Sequence, residues 1–155
     1  MGIELKDDEL WAYVSAAHTA VVTTLRRDGW PVALPVWFVV LERLIYLKTF
    51  PTLMKAKRIA HDPRASFVVE DGQKWTELRA VTISASAELL PPGPEADAAR
   101  QALSVKYPAD VDVPLQRLPE ASRAYYGAAD VIIRLTPTGR LLSWDNRRLR
   151  LLPAE

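Results

Sequence analysis

The sequence predicts a mainly β, α+β domain whose strands close into an antiparallel barrel, and three observations carry that reading. About seven short runs rich in β-branched and aromatic residues are each bounded by turn-forming residues. Helices interrupt those strands at two points, after an opening helix, so strand and helix do not alternate regularly as a parallel sheet requires. The 155 residues suit one domain spanning 1–155, long enough to bury roughly 70% of its extended surface without staples.

Each element has its own signal. Asp7 or Asp8 can cap an opening helix in which Leu10, Trp11, Val14 and Ala17 recur at helical spacing, and this helix is expected to plug one end of the core. Residues 20–26 and 32–40 are β-rich, and the Asp28-Gly29 step between them signals a hairpin. Pro35 inside the second run implies a bulge or an edge there. A tight turn at 41–43 leads to a third strand at 44–49. A cationic helix follows, and Asp62-Pro63 stops it because proline disfavours helical geometry in the preceding residue. Residues 65–70 and 78–90 read as the next two strands around a turn at 71–74. Ala80, Thr82, Ser84 and Ser86 give the longer of the two a face of small side chains that permits close approach. Pro91 to Pro94 break the sheet before a helix at 95–107. Residues 108–119 read as a surface crossing, 120–126 as a helical turn, and 131–135 with 140–144 as a terminal hairpin turning at 136–139.

Composition removes whole classes of function. With no cysteine, thiolate nucleophiles, disulfides and zinc-cysteine sites are excluded, and a reducing cytoplasm is the expected location. The net charge of +1 provides no global field for nucleic acid or anionic membranes, so any basic function must be local. The apolar runs are too short to span a bilayer, and the acidic start does not resemble a signal peptide. His18 and His61 belong to no recognisable triad or metal spacing and read as structural or solvated. No glycine-rich phosphate loop occurs. Chemistry carried by a bound cofactor would need none of these devices, only a slot and an anion clamp.

A clamp can be assembled from residues 48–64, where five Lys or Arg face one Asp. Lys48 and Thr49 end a strand, Pro51 is placed to set the first helical turn, and Lys55 and Arg58 share a helix face. Thr49 and Thr52 add hydroxyls, and free N–H groups at the helix start suit an anion. Spacing alone fits equally a solvated amphipathic helix with Leu53, Met54 and Ile59 inward, and basic helix faces are common.

The run Thr23-Thr24-Leu25-Arg26-Arg27-Asp28-Gly29-Trp30-Pro31, two strands, and then Lys55 through Ala65 with its Asp62-Pro63-Arg64 step resembles the pyridoxamine 5′-phosphate oxidase-like split-barrel superfamily. Within it the sequence is most similar to the B-type flavin/deazaflavin oxidoreductases, many of which use coenzyme F420. The likeness is closest over about residues 10–90 and returns at 131–135 and at Ser143-Trp144-Asp145.

The resemblance implies an FMN-binding type of split barrel, homodimeric, with two cofactor sites at the subunit interface and hydride transfer between reduced F420 and an unsaturated small-molecule acceptor. FMN is the alternative cofactor, and binding without turnover the alternative role. In such proteins the lysine at the place of Lys55 clamps the cofactor phosphate, with help from Thr49. Backbone at Pro35, Val36 and Trp37 lies along the ring, and Trp75 reaches it from the partner subunit. The anionic tail of F420 would run over Arg58, Lys57 and Arg64. Without the family, Trp37 reads equally as core and Trp75 as a cover for a barrel end. Two departures stand out. Residues 150–153 only superficially resemble the tail of true pyridoxamine phosphate oxidases, whose other substrate-phosphate residues are not evident. Arg58 falls where relatives often carry Asn.

Overall fold

The computed structural model describes residues 2–108, 114–126 and 129–151. In chain order the elements are α1 (Asp7–Ala16), β1 (Ala20–Leu25), β2 (Pro31–Val36), β3 (Val39–Leu41), β4 (Leu44–Thr49), α2 (Met54–His61), β5 (Arg64–Asp71), β6 (Arg79–Leu89), α3 (Pro94–Lys106), α4 (Glu120–Tyr126), β7 (Val131–Pro137) and β8 (Leu142–Asp145). The strands form one curled antiparallel sheet in the order β2-β1-β5-β6-β7-β4-β3, with β8 pairing to β6 off that path. This is the α+β split-barrel architecture the sequence predicts, with eight strands described where the sequence suggested about seven.

The predicted strand at 32–40 is two strands. β2 pairs with β1 and β3 with β4, so consecutive segments lie at opposite ends of the strand order. Pro35 sits on the edge strand, where a missing N–H is tolerated. The break falls at Trp37 and Phe38, and the buried Phe38 backbone would otherwise be left unpaired. Tyr107 closes that gap. Its buried hydroxyl accepts the Phe38 N–H at 3.0 Å and lies 2.8 Å from the carbonyls of both Phe38 and His18.

The predicted terminal hairpin does not form. β7 and β8 pair successively with one edge of β6, and the stretch between them is a kink within one antiparallel line. Ala85 faces Pro137 whereas Thr82 faces Leu142, so three steps along β6 correspond to five along its partner. Pro137 and Gly139 read as a turn because a bulge draws on the same residues. By contrast the β1–β2 hairpin turns as predicted, with Gly29 at φ 80°. The β3–β4 turn places two non-glycine residues, Glu42 and Arg43, at φ 50° and 64°, the geometry of a two-residue type I′ loop.

The inner face of the sheet carries the main core, with Val22, Ile45, Leu47, Phe67, Ile83 and Leu135 among its members. α1 adds Leu10, Trp11 and Val14 to that cluster, as expected of a plug, and α2 adds Ile59. α1 starts one residue earlier than predicted. Lys6 is its cap residue, and the Glu9 carboxylate accepts the Lys6 N–H at 3.3 Å. α3 begins at Pro94 and covers the outer face of β3, β4 and β7, where Tyr46, Ile132, Ala99 and Leu103 form a second cluster. The outer face of β2, β1, β5 and β6 has no such cover among the described residues. Val21, Val68, Thr82 and Leu142 lie across from one another there, with Val21 and Leu142 exposed. Part of the 108–119 crossing and the end of the 150–153 tail lie outside the described residues.

Candidate functional site

α2 is short, and its inward stripe explains how it docks. Ala56 and Ile59, three apart, are buried against the sheet, while Lys57 and Ala60 face outward. Met54, predicted inward, is exposed, because the helix starts at Met54 and its first residue projects beyond the core. For the same reason Pro51 lies in the turn before α2 and does not occupy its first turn, and Leu53 is the cap residue. At the other end Asp62 accepts three contacts from the Arg64 guanidinium, two of them sharing the Nε–H, and one from the Arg64 N–H, which hold its carboxyl down to about 2. Arg64 therefore spends its charge on Asp62.

Lys55 and Arg58 occupy the half-buried margins of the helix. Arg58 reaches across to β1, where its Nε donates to the Thr24 hydroxyl at 2.8 Å. Neither cation forms an ion pair with a carboxylate among the described residues. Burial, and secondarily the neighbouring Arg58, push the Lys55 ammonium below the ordinary lysine range. Two like charges held close with no acid between them make a site that an anion would relieve.

Thr49 and Lys48 are separated by the alternation of β4. Thr49 shares the inner face with Ile45 and Leu47, whereas Lys48 lies on the face of Tyr46 and Ile132, which α3 covers, with its own side chain exposed. Thr49 is only 4% exposed, and its hydroxyl has no hydrogen-bond partner among the described residues. Its hydroxyl is thus an orphaned buried group at the end of the strand that precedes the cationic helix in the chain.

Pro35, Val36 and Trp37 run up to the strand break. Val36 is core, opposite Ala20, and Pro35 faces Val21. Trp37 is neither core nor free: it is 38% exposed and lies flat on Tyr107, with ring centroids 4.9 Å apart and planes at 7°, and edge-on to His18. Trp75 lies in a helical turn between β5 and β6 and is 64% exposed.

The roles of Tyr107, Thr24 and Asn146 are not visible in the sequence, since each works through a partner distant along the chain. Asn146 donates from its side-chain amide to the Trp75 carbonyl at 2.7 Å. A groove of about 470 Å³ opens between the end of α1 and the outer face, lined by Ala16, Ala17, Ala20, Val21 and Val68 with Tyr13, Asp71 and Arg79 at its polar end. There Arg79 pairs with Asp71 through two bonds and covers the Tyr13 ring at 3.9 Å. Burial, then the Asp71 charge, push the Tyr13 phenol up to about 12. This groove adjoins Pro35 through Val21 and does not include the cations of α2.

The curled antiparallel sheet with a cationic helix against its first strand defines the class, that of the split β-barrels. More particularly, the model of the pyridoxamine 5′-phosphate oxidase family matches residues 7–139, and the chain belongs to that family. Among solved structures, a conserved hypothetical protein from Mycobacterium tuberculosis is similar at 24% identity and a TM-score of 0.78, with 97% of this chain and 92% of that one covered. A protein described as an F420 reductase is similar at 20% identity and a TM-score of 0.61, covering 84% and 94% of the two chains. The heme storage protein of Vibrio cholerae shares the fold at 15% identity and a TM-score of 0.66, covering 93% and 96%. Among curated proteins none matches the chain. No helix of the described residues is long and apolar enough to cross a membrane.

Proposed function

We propose that the chain is a cytoplasmic oxidoreductase that binds a deazaflavin of the F420 type, with FMN as the alternative, and moves hydride between it and an unsaturated small-molecule acceptor. The observation that carries this reading is the Lys55 and Arg58 pair, partly buried, close enough to interact and without an acidic partner among the described residues. The donor set fits a phosphate: an ammonium, a guanidinium oriented by Thr24, and the orphaned Thr49 hydroxyl. When bound, the ring supplies the hydride chemistry that no side chain here provides.

The chain's own residues bind and orient. Lys55 holds the phosphate, and Arg58 presents its remaining N–H groups from a position fixed on β1. Lys57, exposed on α2, is the cation available to an anionic tail, and Arg64 contributes less because Asp62 occupies it. Lys48 faces away from Thr49 and acts at longer range. The backbone at Pro35, Val36 and Trp37 lines the ring, held in place by the Tyr107 bonds to Phe38. A second copy packs on the uncovered outer face and brings its Trp75 to the site. That face carries exposed apolar side chains of the kind a homodimer buries.

Titration of the purified protein with F420, FMN and heme, followed by fluorescence quenching or the heme absorption band, tests the reading. Micromolar binding of F420 or FMN, reduced at least tenfold by Lys55→Ala, supports it. Tight binding of heme alone, or of none of the three, overturns it. Flavin binding that survives Lys55→Ala removes only the clamp.

A further inference from the structure

We infer that Asn146 is a positioning residue that fixes the direction in which Trp75 is presented. The loop between β5 and β6 is tied down at three points. Gly72 has φ +107°, and a Cβ there would lie 2.5 Å from the Glu77 carbonyl oxygen, so the chain folds back on itself with no spare room. The Glu77 N–H donates to the Lys74 carbonyl at 2.8 Å, closing a helical turn. Asn146 then bonds both ends of that turn: its side-chain amide donates to the Trp75 carbonyl at 2.7 Å, and its own N–H donates to the Leu78 carbonyl at 2.9 Å.

Asn146 can do this because it is itself anchored. It is 8% exposed and follows Asp145, which is also buried and accepts two bonds from the Arg147 guanidinium. The Asp145 N–H reaches back to the Ile3 carbonyl at 2.8 Å, so the brace is joined to the N-terminal segment. All this order serves a loop whose largest apolar side chain faces solvent. A loop tip that only connects two strands needs no such support. The backbone of Trp75 is fixed while its indole stays open to a ligand, the arrangement of an aromatic group held ready to bind. Trp144 and Leu142 on β8, the strand that leads into Asn146, are further exposed apolar side chains.

The ligand half of this inference rests on the cofactor reading above, with Trp75 meeting a cofactor held by another copy; the brace does not. Labelling the five tryptophans with 5-fluorotryptophan separates the two. The Trp75 fluorine resonance is assigned with Trp75→Phe. In Asn146→Ala, and in the near-isosteric Asn146→Asp, that resonance is expected to shift toward free indole while the other four stay in place. The same variants are expected to weaken F420 or FMN binding about tenfold in the wild-type background and to add nothing to Trp75→Ala. An unmoved Trp75 resonance in a folded variant overturns the brace. A shifted resonance with equal cofactor affinity, or with an equal loss in the Trp75→Ala background, overturns the positioning role. If the wild-type protein binds neither cofactor, the cofactor reading fails and the resonance still decides the brace.

Discussion

Replacing Tyr107 with Phe isolates one hydroxyl at the place where the sheet divides. The ring stays, with its stacking on Trp37 at 4.9 Å, so packing is conserved and only polar contacts are lost. Those contacts are an acceptor for the Phe38 N–H at 3.0 Å and a donor to one of two carbonyls at 2.8 Å. Phe38 is fully buried and Tyr107 nearly so, which leaves no water to take over. An unsatisfied buried N–H costs about 1–3 kcal/mol, and the lost donor adds to it, so the expected destabilisation is about 2–3 kcal/mol. At about 2–4 °C per kcal/mol for a chain of this size, the midpoint of melting should fall by about 4–12 °C. Urea unfolding with an unchanged slope would give the free energy directly. A loss below about 0.5 kcal/mol would refute the argument, since it would mean the backbone at the break satisfies itself.

Two further outcomes are expected. Asp145 is buried, and its hydrogen bonds from Arg147 hold its carboxyl down to about 2; its contribution to stability is fully present above the unfolded carboxylate range and is lost as pH falls from about 4 through 2. Acid titration of stability should therefore show a loss of about 2 kcal/mol in that window, and Asp145→Asn should remove it while lowering stability at neutral pH. Glu42, at φ 50°, occupies a backbone region that costs side-chain-bearing residues about 1–2 kcal/mol but that asparagine tolerates. Glu42→Asn should raise the urea midpoint by the equivalent of about 0.5–1 kcal/mol; no gain would show that the turn is not strained.

The local grammar of the chain was legible, and its long-range pairing was not. Asp28-Gly29 announced a hairpin and Pro63 ended a helix, because both act within a few residues. Residues 32–40 read as one strand because β-propensity is continuous across Trp37 and Phe38. The division depends on Tyr107, 69 positions away, which no window can see. Pro137 and Gly139 suit a turn and a kink alike, and only the register on β6 tells the two apart. For the site, the cationic density of α2 was visible, whereas the engagement of Arg58 by Thr24 was not. The opposed directions of Lys48 and Thr49 follow from strand alternation and could have been read from the sequence.

The strand order has a consequence for how the chain acquires its shape. Three of the pairings, β1 with β2, β3 with β4, and β5 with β6, are hairpins between neighbours in sequence and can form early and independently. The pairing of β4 with β7 joins residues about 80–90 positions apart and must wait for everything between them to be ordered. Barrel closure is thus expected to be the slow, entropy-limited event, with β7 as the latch. Until it engages, the α3-facing side of β4 stays open, so substitutions at Ile132 or Ile133 should act on the rate of unfolding, while changes in the early hairpins act on the rate of folding.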